Sequence, residues 1–379
     1  MQAHERFHGI SDDFRSPYAR DRDRIIHSGS FRKLEYKTQV FLNQEGDFFR
    51  TRLTHSLEVS QIARSISSQL GLEEALAEAI ALAHDLGHTP FGHVGGDELD
   101  KKLKEAGYNK GFEHNYQSFR VVTALEKRYK DFNGLNLSFA TLEGILKHSY
   151  PYKKSFLPSE IDKQFNLETH PSIEAMVVDR ADEIAYMSHD IDDGVHSGLI
   201  SFETLKQSEL VQEILEKVYE EGISEDEDEM FRYRFSSHFI NHLVYSLLAY
   251  SKQALAVYAV DVSSVKPNVD NSKVLSACID ASSEIPIGFE PSLETKIKKL
   301  KKILFQELYQ HKEIVRKMYA GKKAVQGLFE GLMQEPKMLP KYYLLQLDSR
   351  SKHRVVADYI ASMSDRYAMS LYKEVYGLR

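Results

Sequence analysis

Between Glu73 and Gly87 the chain reads EEALAEAIALAHDLG, with Ala, Leu and Ile on most sides of a 3.6-residue wheel. A helix that is apolar nearly all round is buried, so this one runs through an interior and other elements must surround it. It also carries His84 and Asp85 inward at its end. A buried carboxylate without a partner costs several kcal/mol, and a divalent cation is the partner that a neighbouring histidine can share. Adjacent residues can both turn to one ion where the chain is about to leave helical geometry, and Gly87 marks that point. The next residues, His88-Thr89-Pro90-Phe91-Gly92-His93, form a tight turn that keeps two more imidazoles close.

The surroundings read as helical too. With 20 Gly and 10 Pro in 379 residues, long stretches keep the helical period. Helices are expected over 54–69, 73–86, 172–190, 203–220, 231–257, 293–334 and 353–376. The acidic run 220–229 reads as a solvated turn, and 260–292 as a short hairpin or loop excursion. The fold expected is all-α: a helical core over 1–200, with a helical C-terminal extension over 201–379 packed on it as one continuous unit. Cys278 is the only cysteine, which rules out a disulfide within the chain and argues against a Cys-based zinc site. With no signal peptide to read, a reducing cytoplasm is expected. No run of roughly 18 apolar residues suggests a membrane span. The net charge of −7 argues against a general nucleic-acid coat, which needs a local excess of Lys and Arg.

Seven of the 16 histidines lie within 27–148. His55 shares its helical face with Val59, Ile62 and Ile66. Alone it reads as a hydrogen-bonded core histidine. Asp182 shares a face with Tyr186, His189 and Asp190, a stripe that alone suits a solvated surface as well as a cleft wall. Beside His84 and Asp85, both turn toward a metal. Two histidines and two carboxylates suit one divalent ion, Mn²⁺ or Mg²⁺ first, with Fe²⁺ or Ni²⁺ compatible. Four protein ligands leave open positions for water and a phosphate oxygen.

The pattern His55 … His84-Asp85 … Asp182 is the H…HD…D signature of the HD superfamily, and further segments narrow the likeness. RDRDRIIHS at 20–28, KTQVF at 37–41, TRLTHSLEV at 51–59, GFEHN at 111–115, ADEIAY at 181–186 and DYIA … DRYA at 358–368 resemble the deoxyguanosine triphosphate triphosphohydrolase family. The resemblance implies an HD-domain helical bundle that cleaves dNTPs into deoxynucleoside and inorganic triphosphate. It implies that His55, His84, Asp85 and Asp182 hold one metal, that Arg52 contacts the triphosphate and that Gln39 binds the sugar 3′-hydroxyl. Tyr186 and Asp190 would contact the sugar, Tyr186 excluding a 2′-hydroxyl. His93 would transfer a proton, with His114 supporting it. Where the family has an acid three residues after that histidine, this chain has Gly96. Asp97, one place on, either orients His93 or caps a helix beginning near Glu98. A dNTP effector or single-stranded DNA would be further partners, and related enzymes form hexamers or tetramers.

Two rivals share the ligand pattern. Another HD chemistry, a 5′-nucleotidase or phosphodiesterase, could use His88, His93 and His114 for a second ion. A metal-stabilised regulator responding to nucleotide or single-stranded DNA would need no turnover. Nothing in the sequence reads as a code for one base.

Overall fold

The computed structural model describes residues 3–9, 14–39, 49–149, 164–166, 169–226, 228–257 and 286–377. Among them are 16 α-helices and no strand, with extended pairing confined to isolated bridges such as Thr38 with Thr51. In chain order the helices are α1 Pro17–Ile26, α2 Gly29–Lys33, α3 Arg52–Leu70, α4 Glu74–Ala83, α5 Gly92–Glu105, α6 His114–Arg120, α7 Phe139–Leu146 and α8 Ile173–His196. They continue with α9 Phe202–Leu205, α10 Glu209–Glu220, α11 Asp228–Val257, α12 Pro291–Ile303, α13 Lys312–Gln334, α14 Lys341–Leu344, α15 Lys352–Ala361 and α16 Asp365–Tyr376. The fold is all-α, as the periodicity implied.

Helix α4 is the axis. Leu76, Ala77 and every residue from Ala79 to Ala83 are buried, and α3, α1, α8 and α7 pack around it. Helix α3 starts on a reciprocal capping box in which Thr51 and Thr54 bond each other's backbone, and it ends at left-handed Gly71. Helix α8 starts where Ser172 Oγ accepts from Ala175 N. The largest core joins Val59, Ile62 and Ile66 of α3 to Ile80 of α4, Ile173 and Ile184 of α8, and Phe231, Phe235 and Phe239 of α11. A second core sets Phe91, Leu99 and Leu103 against Leu328 of α13 and Val355 and Ile360 of α15.

Three expected helices are broken. The stretch 203–220 is α9 and α10, divided before Ser208, the N-cap of α10. The stretch 293–334 is interrupted by a π-helical turn, Leu304–Tyr309, after which His311 caps α13. The stretch 353–376 divides where Ser364 Oγ caps α16. At His311 and Ser364 a polar side chain competes for backbone N–H groups and restarts the helix. The acidic run joins α10 to α11, and its described residues are mostly exposed. The expected excursion over 260–292 falls largely outside the described residues; from its end, Ile287 and Phe289 are in the core. No described helix is long and apolar enough to cross a membrane.

Candidate metal centre and hydrolytic site

Helix propagation brings Arg52 to the first position of α3 and His55 one turn further on, both facing inward. His84 and Asp85 occupy the turn directly after α4. Asp182 reaches them from the middle of α8. His55 Nε2 lies 2.9 Å and His84 Nε2 3.8 Å from Asp182 Oδ1. These three side chains offer ligand atoms all within 4.8 Å of one another. Both imidazoles are oriented from behind. His84 Nδ1 faces the Ala81 carbonyl at 2.7 Å, so this nitrogen carries the proton and leaves Nε2 as a lone pair. His55 Nδ1 contacts His189 Nε2 at 2.8 Å, and His189 Nδ1 contacts Asp190 Oδ1 at 3.1 Å. Such backing fixes the tautomer and strengthens the ligand. A buried set of two imidazole Nε2 atoms and a carboxylate, pre-oriented in this way, fits a divalent ion.

Asp85 borders that group. Its oxygens lie 3.4 Å from His84 Nε2 and 3.9 Å from His55 Nε2. Arg52 Nη1 at 2.7 Å and His88 Nε2 at 3.0 Å hold it. Burial alone would raise the Asp85 and Asp182 carboxyls; the imidazoles around both, with Arg52 beside Asp85, hold them well below the usual carboxylate range. Both are therefore ionised at neutral pH.

Beside the metal group, His88, His93 and His114 face one another, with ring centroids 4.4 Å apart for His88 and His114, 5.1 Å for His88 and His93, and 5.7 Å for His93 and His114. Burial lowers all three, and Arg52 adds to this; His114 falls to about 3. His93 is accessible to water within the cleft yet surrounded by protein, so its ring is neutral at pH 7. Two local features build this corner. Gly87 lies so close to the α6 backbone at His114 and Ser118 that no Cβ fits. Phe91, the residue that starts α5, is left-handed at φ 64° without being glycine, a strained conformation typical of functional sites.

A cavity of about 970 Å³ opens over both groups, lined by Gln39, Arg52, His55, Asp85, His93, His114, Asp182 and Tyr186. Gln39 Oε1 is buried there without a hydrogen-bond partner. Two expected site residues are placed differently. Asp190 does not line the cavity: it is buried behind Tyr309, whose hydroxyl it accepts. Asp97 lines an adjoining cavity of about 470 Å³ with His93, Gly96 and His114. It sits in the second turn of α5, which starts at Gly92, so it does not cap a helix starting near Glu98. No hydrogen bond or ion pair joins it to His93 among the described residues.

Three site residues were not foreseen, and a fourth, His88, was foreseen only as a ligand for a second ion. His88 joins Asp85 to the histidine trio. His148 approaches Asp182 Oδ2 at 3.6 Å, backed by Asp179 at 2.5 Å. Tyr309 comes from the π-helical turn. Asp365, on α16, accepts from Thr38 N at 2.9 Å and Phe91 N at 3.0 Å. Of these, His88 alone carried a signal, its place in the turn after Asp85.

Residues 52–187 match the HD domain, and residues 287–374 match a phosphohydrolase-associated domain. A protein of Wolinella succinogenes is 60% identical over 99% of this chain and 100% of its own length. Relatives from Geobacter sulfurreducens and Nitrosomonas europaea are each 43% identical over 96% of this chain, and over 89% and 92% of their own lengths. All three bear the name deoxyguanosinetriphosphate triphosphohydrolase-like protein.

Proposed function

The chain belongs to the deoxyguanosinetriphosphate triphosphohydrolase-like family of HD-domain phosphohydrolases, and from that premise we propose that it is a metal-dependent dNTP triphosphohydrolase releasing deoxynucleoside and inorganic triphosphate. One observation carries this reading. A divalent-ion ligand group, a buried arginine and three neutral imidazoles converge on a single cavity of about 970 Å³.

His55, His84 and Asp182, with Asp85 beside them, would hold the ion. Bound there, a divalent ion lends Lewis acidity to a phosphate oxygen and lowers the pKa of water. The rest falls to the chain. Arg52 is fixed by Asp85 and turned to the cavity, where a guanidinium matches phosphate geometry. Water attacks the α-phosphorus, and the bond from that phosphorus to the 5′-oxygen breaks. His93 is positioned to take the proton of the attacking water or deliver one to the leaving 5′-oxygen, with His114 against its ring. A neutral His93 can accept this proton, and the approach of a polyanion favours its protonated form. Gln39 supplies an unpaired amide oxygen for a sugar hydroxyl. Tyr186 walls the sugar side with Tyr309, which stands in front of Asp190.

Product analysis with all four dNTPs and a panel of divalent metals tests the reading. Triphosphate and deoxynucleoside in equal amounts are expected. Pyrophosphate with a nucleoside monophosphate would replace it with a nucleotide pyrophosphatase. No turnover with any dNTP, alongside tight single-stranded DNA binding, would favour the regulator.

A further inference from the structure

Beyond the catalytic cleft, on the other side of α6, three arginines meet one carboxylate. Asp358 of α15 is fully buried. It accepts from Arg120 Nη2 at 2.6 Å, from Arg354 Nε at 3.0 Å and from Arg350 Nη2. One carboxylate balances one guanidinium, and here there are three. The remaining acceptors are neutral amides: Gln117 takes a bond from Arg354 Nη2, and Gln346 one from Arg350 Nη1. Lys110 faces the same basin from the loop before α6. Among the described residues the other carboxylate lining it, Glu113, is committed to α6, accepting from Tyr116 N at 2.7 Å and lying 3.2 Å from His114 Nδ1.

These groups line a cavity of about 220 Å³. Tyr116 forms its floor, with Arg120 and Arg354 each over its ring at 5.8 and 5.7 Å. Arg354 Nη1 and Arg350 Nε have no hydrogen bond among the described residues. Uncompensated buried positive charge is costly unless an anion completes the set. Burial, with Arg120 close by, lowers Arg354 against the pull of Asp358. Guanidinium forks with free N–H groups beside a lysine recognise tetrahedral oxyanions.

We propose that the basin between α6 and α15, lined by Lys110, Arg120, Arg350 and Arg354, binds a phosphate-type oxyanion at a place separate from the catalytic cavity. The oxyanion is either inorganic phosphate or the phosphoryl end of a nucleotide. Helix α6 carries Arg120 at one end and His114 at the other, so occupancy of the basin loads the helix that presents a site histidine.

Hydrogen exchange on the metal-loaded, full-length protein separates the two sites by position. Inorganic phosphate and a non-hydrolysable dGTP analogue are added in parallel, with chloride at matched ionic strength as control. Protection of peptides covering 116–125 and 350–358 is expected, distinct from protection of 52–55, 84–93 and 112–115 in the catalytic cleft. Lys110→Glu, an exposed position that also borders the cavity beside His93 and His114, should weaken the midpoint of the first response at least about tenfold. Arg350→Ala should act the same way, with Arg120 and Arg354 still holding Asp358. Response to phosphate itself identifies the inorganic source, and response to the analogue alone identifies the nucleotide. Protection by neither probe, or protection that survives Lys110→Glu and Arg350→Ala unchanged, would overturn the site.

Discussion

At His114, burial beside the other site imidazoles drives an ordinary side chain far from its solution behaviour. In the folded chain His114 takes a proton only near pH 3, whereas an unfolded chain takes it near pH 6.5. A group with a depressed basic pKa contributes no instability above 6.5 and progressively destabilises the fold as pH falls from 6.5 toward 3. His55 and His148 are raised and act with the opposite sign, so the prediction concerns a difference. Between pH 6.5 and 4, His114→Gln should gain on the parent protein by at most about 1.4 kcal/mol per pH unit. Above 6.5 the two urea midpoints should run parallel. Below about 3.8 Asp358, held down to about 2, adds its own loss in both proteins, so the informative window closes there. For Asp97 the expectation is smaller. Partners that orient a metal-site histidine matter about 10–100-fold, and Asp97 makes no such bond to His93. Asp97→Asn should keep its metal and lose less than about tenfold in kcat; a larger fall would show that the carboxylate swings onto His93 during turnover.

At the scale of elements, packing of α6 against the turn after α4 sets the position of His114. Gly87 permits that approach, since a Cβ there would overlap the backbone of His114 and Ser118. Gly87→Ala must push α6 away, and overpacking of this kind costs about 1–3 kcal/mol. Both the urea midpoint and kcat should fall, while metal stoichiometry holds, because His55, His84 and Asp182 stand on other elements. Loss of stability with full kcat would mean that the position of α6 is catalytically irrelevant. This corner was also the least legible from sequence. Helices α3, α4 and α8 follow from their apolar spacing, and with them the places of His55, His84, Asp85 and Asp182. Helix α5 begins on Phe91 in a left-handed conformation and carries Gly95 and Gly96 in its first turns, which looks like a loop to any propensity. The broken helices after residue 200 were hidden for a related reason. A π-helical turn leaves the period of apolar residues nearly intact, and it sets Tyr309 between Asp190 and the cavity, where a straight helix would not.

At the scale of the molecule, the C-terminal helices hold the site's loops in place. Asp365, 327 residues from Thr38 in sequence, accepts from Thr38 N and Oγ1 with one oxygen and from Phe91 N with the other. It thereby ties together the residue before Gln39, the strained start of α5 and the tail. Nearby, buried Lys37 donates to the carbonyls of His88 and Ala361, a second tie between the same three places. Burial raises Asp365 above the ordinary carboxylate value, yet the backbone donors and Thr38 work against that rise. Removing the side chain leaves two buried N–H groups without acceptors, each worth about 1–3 kcal/mol, and frees Phe91 to leave its left-handed conformation. The ligand group itself is untouched, because α3, α4 and α8 pack without α16. Asp365→Ala should therefore retain its metal while Gln39 and His93 drift from their positions. Displacement of about 1 Å at a reacting centre can cost 10²-fold in rate, so kcat should fall by about that factor, with stability down by a few kcal/mol. Asp365→Asn keeps an acceptor oxygen for only one of the two loops and should fall between the two. Metal analysis and kcat on the same samples decide it: loss of metal in step with activity would place Asp365 in support of the ligand group, and an unchanged kcat would leave the tail as packing alone.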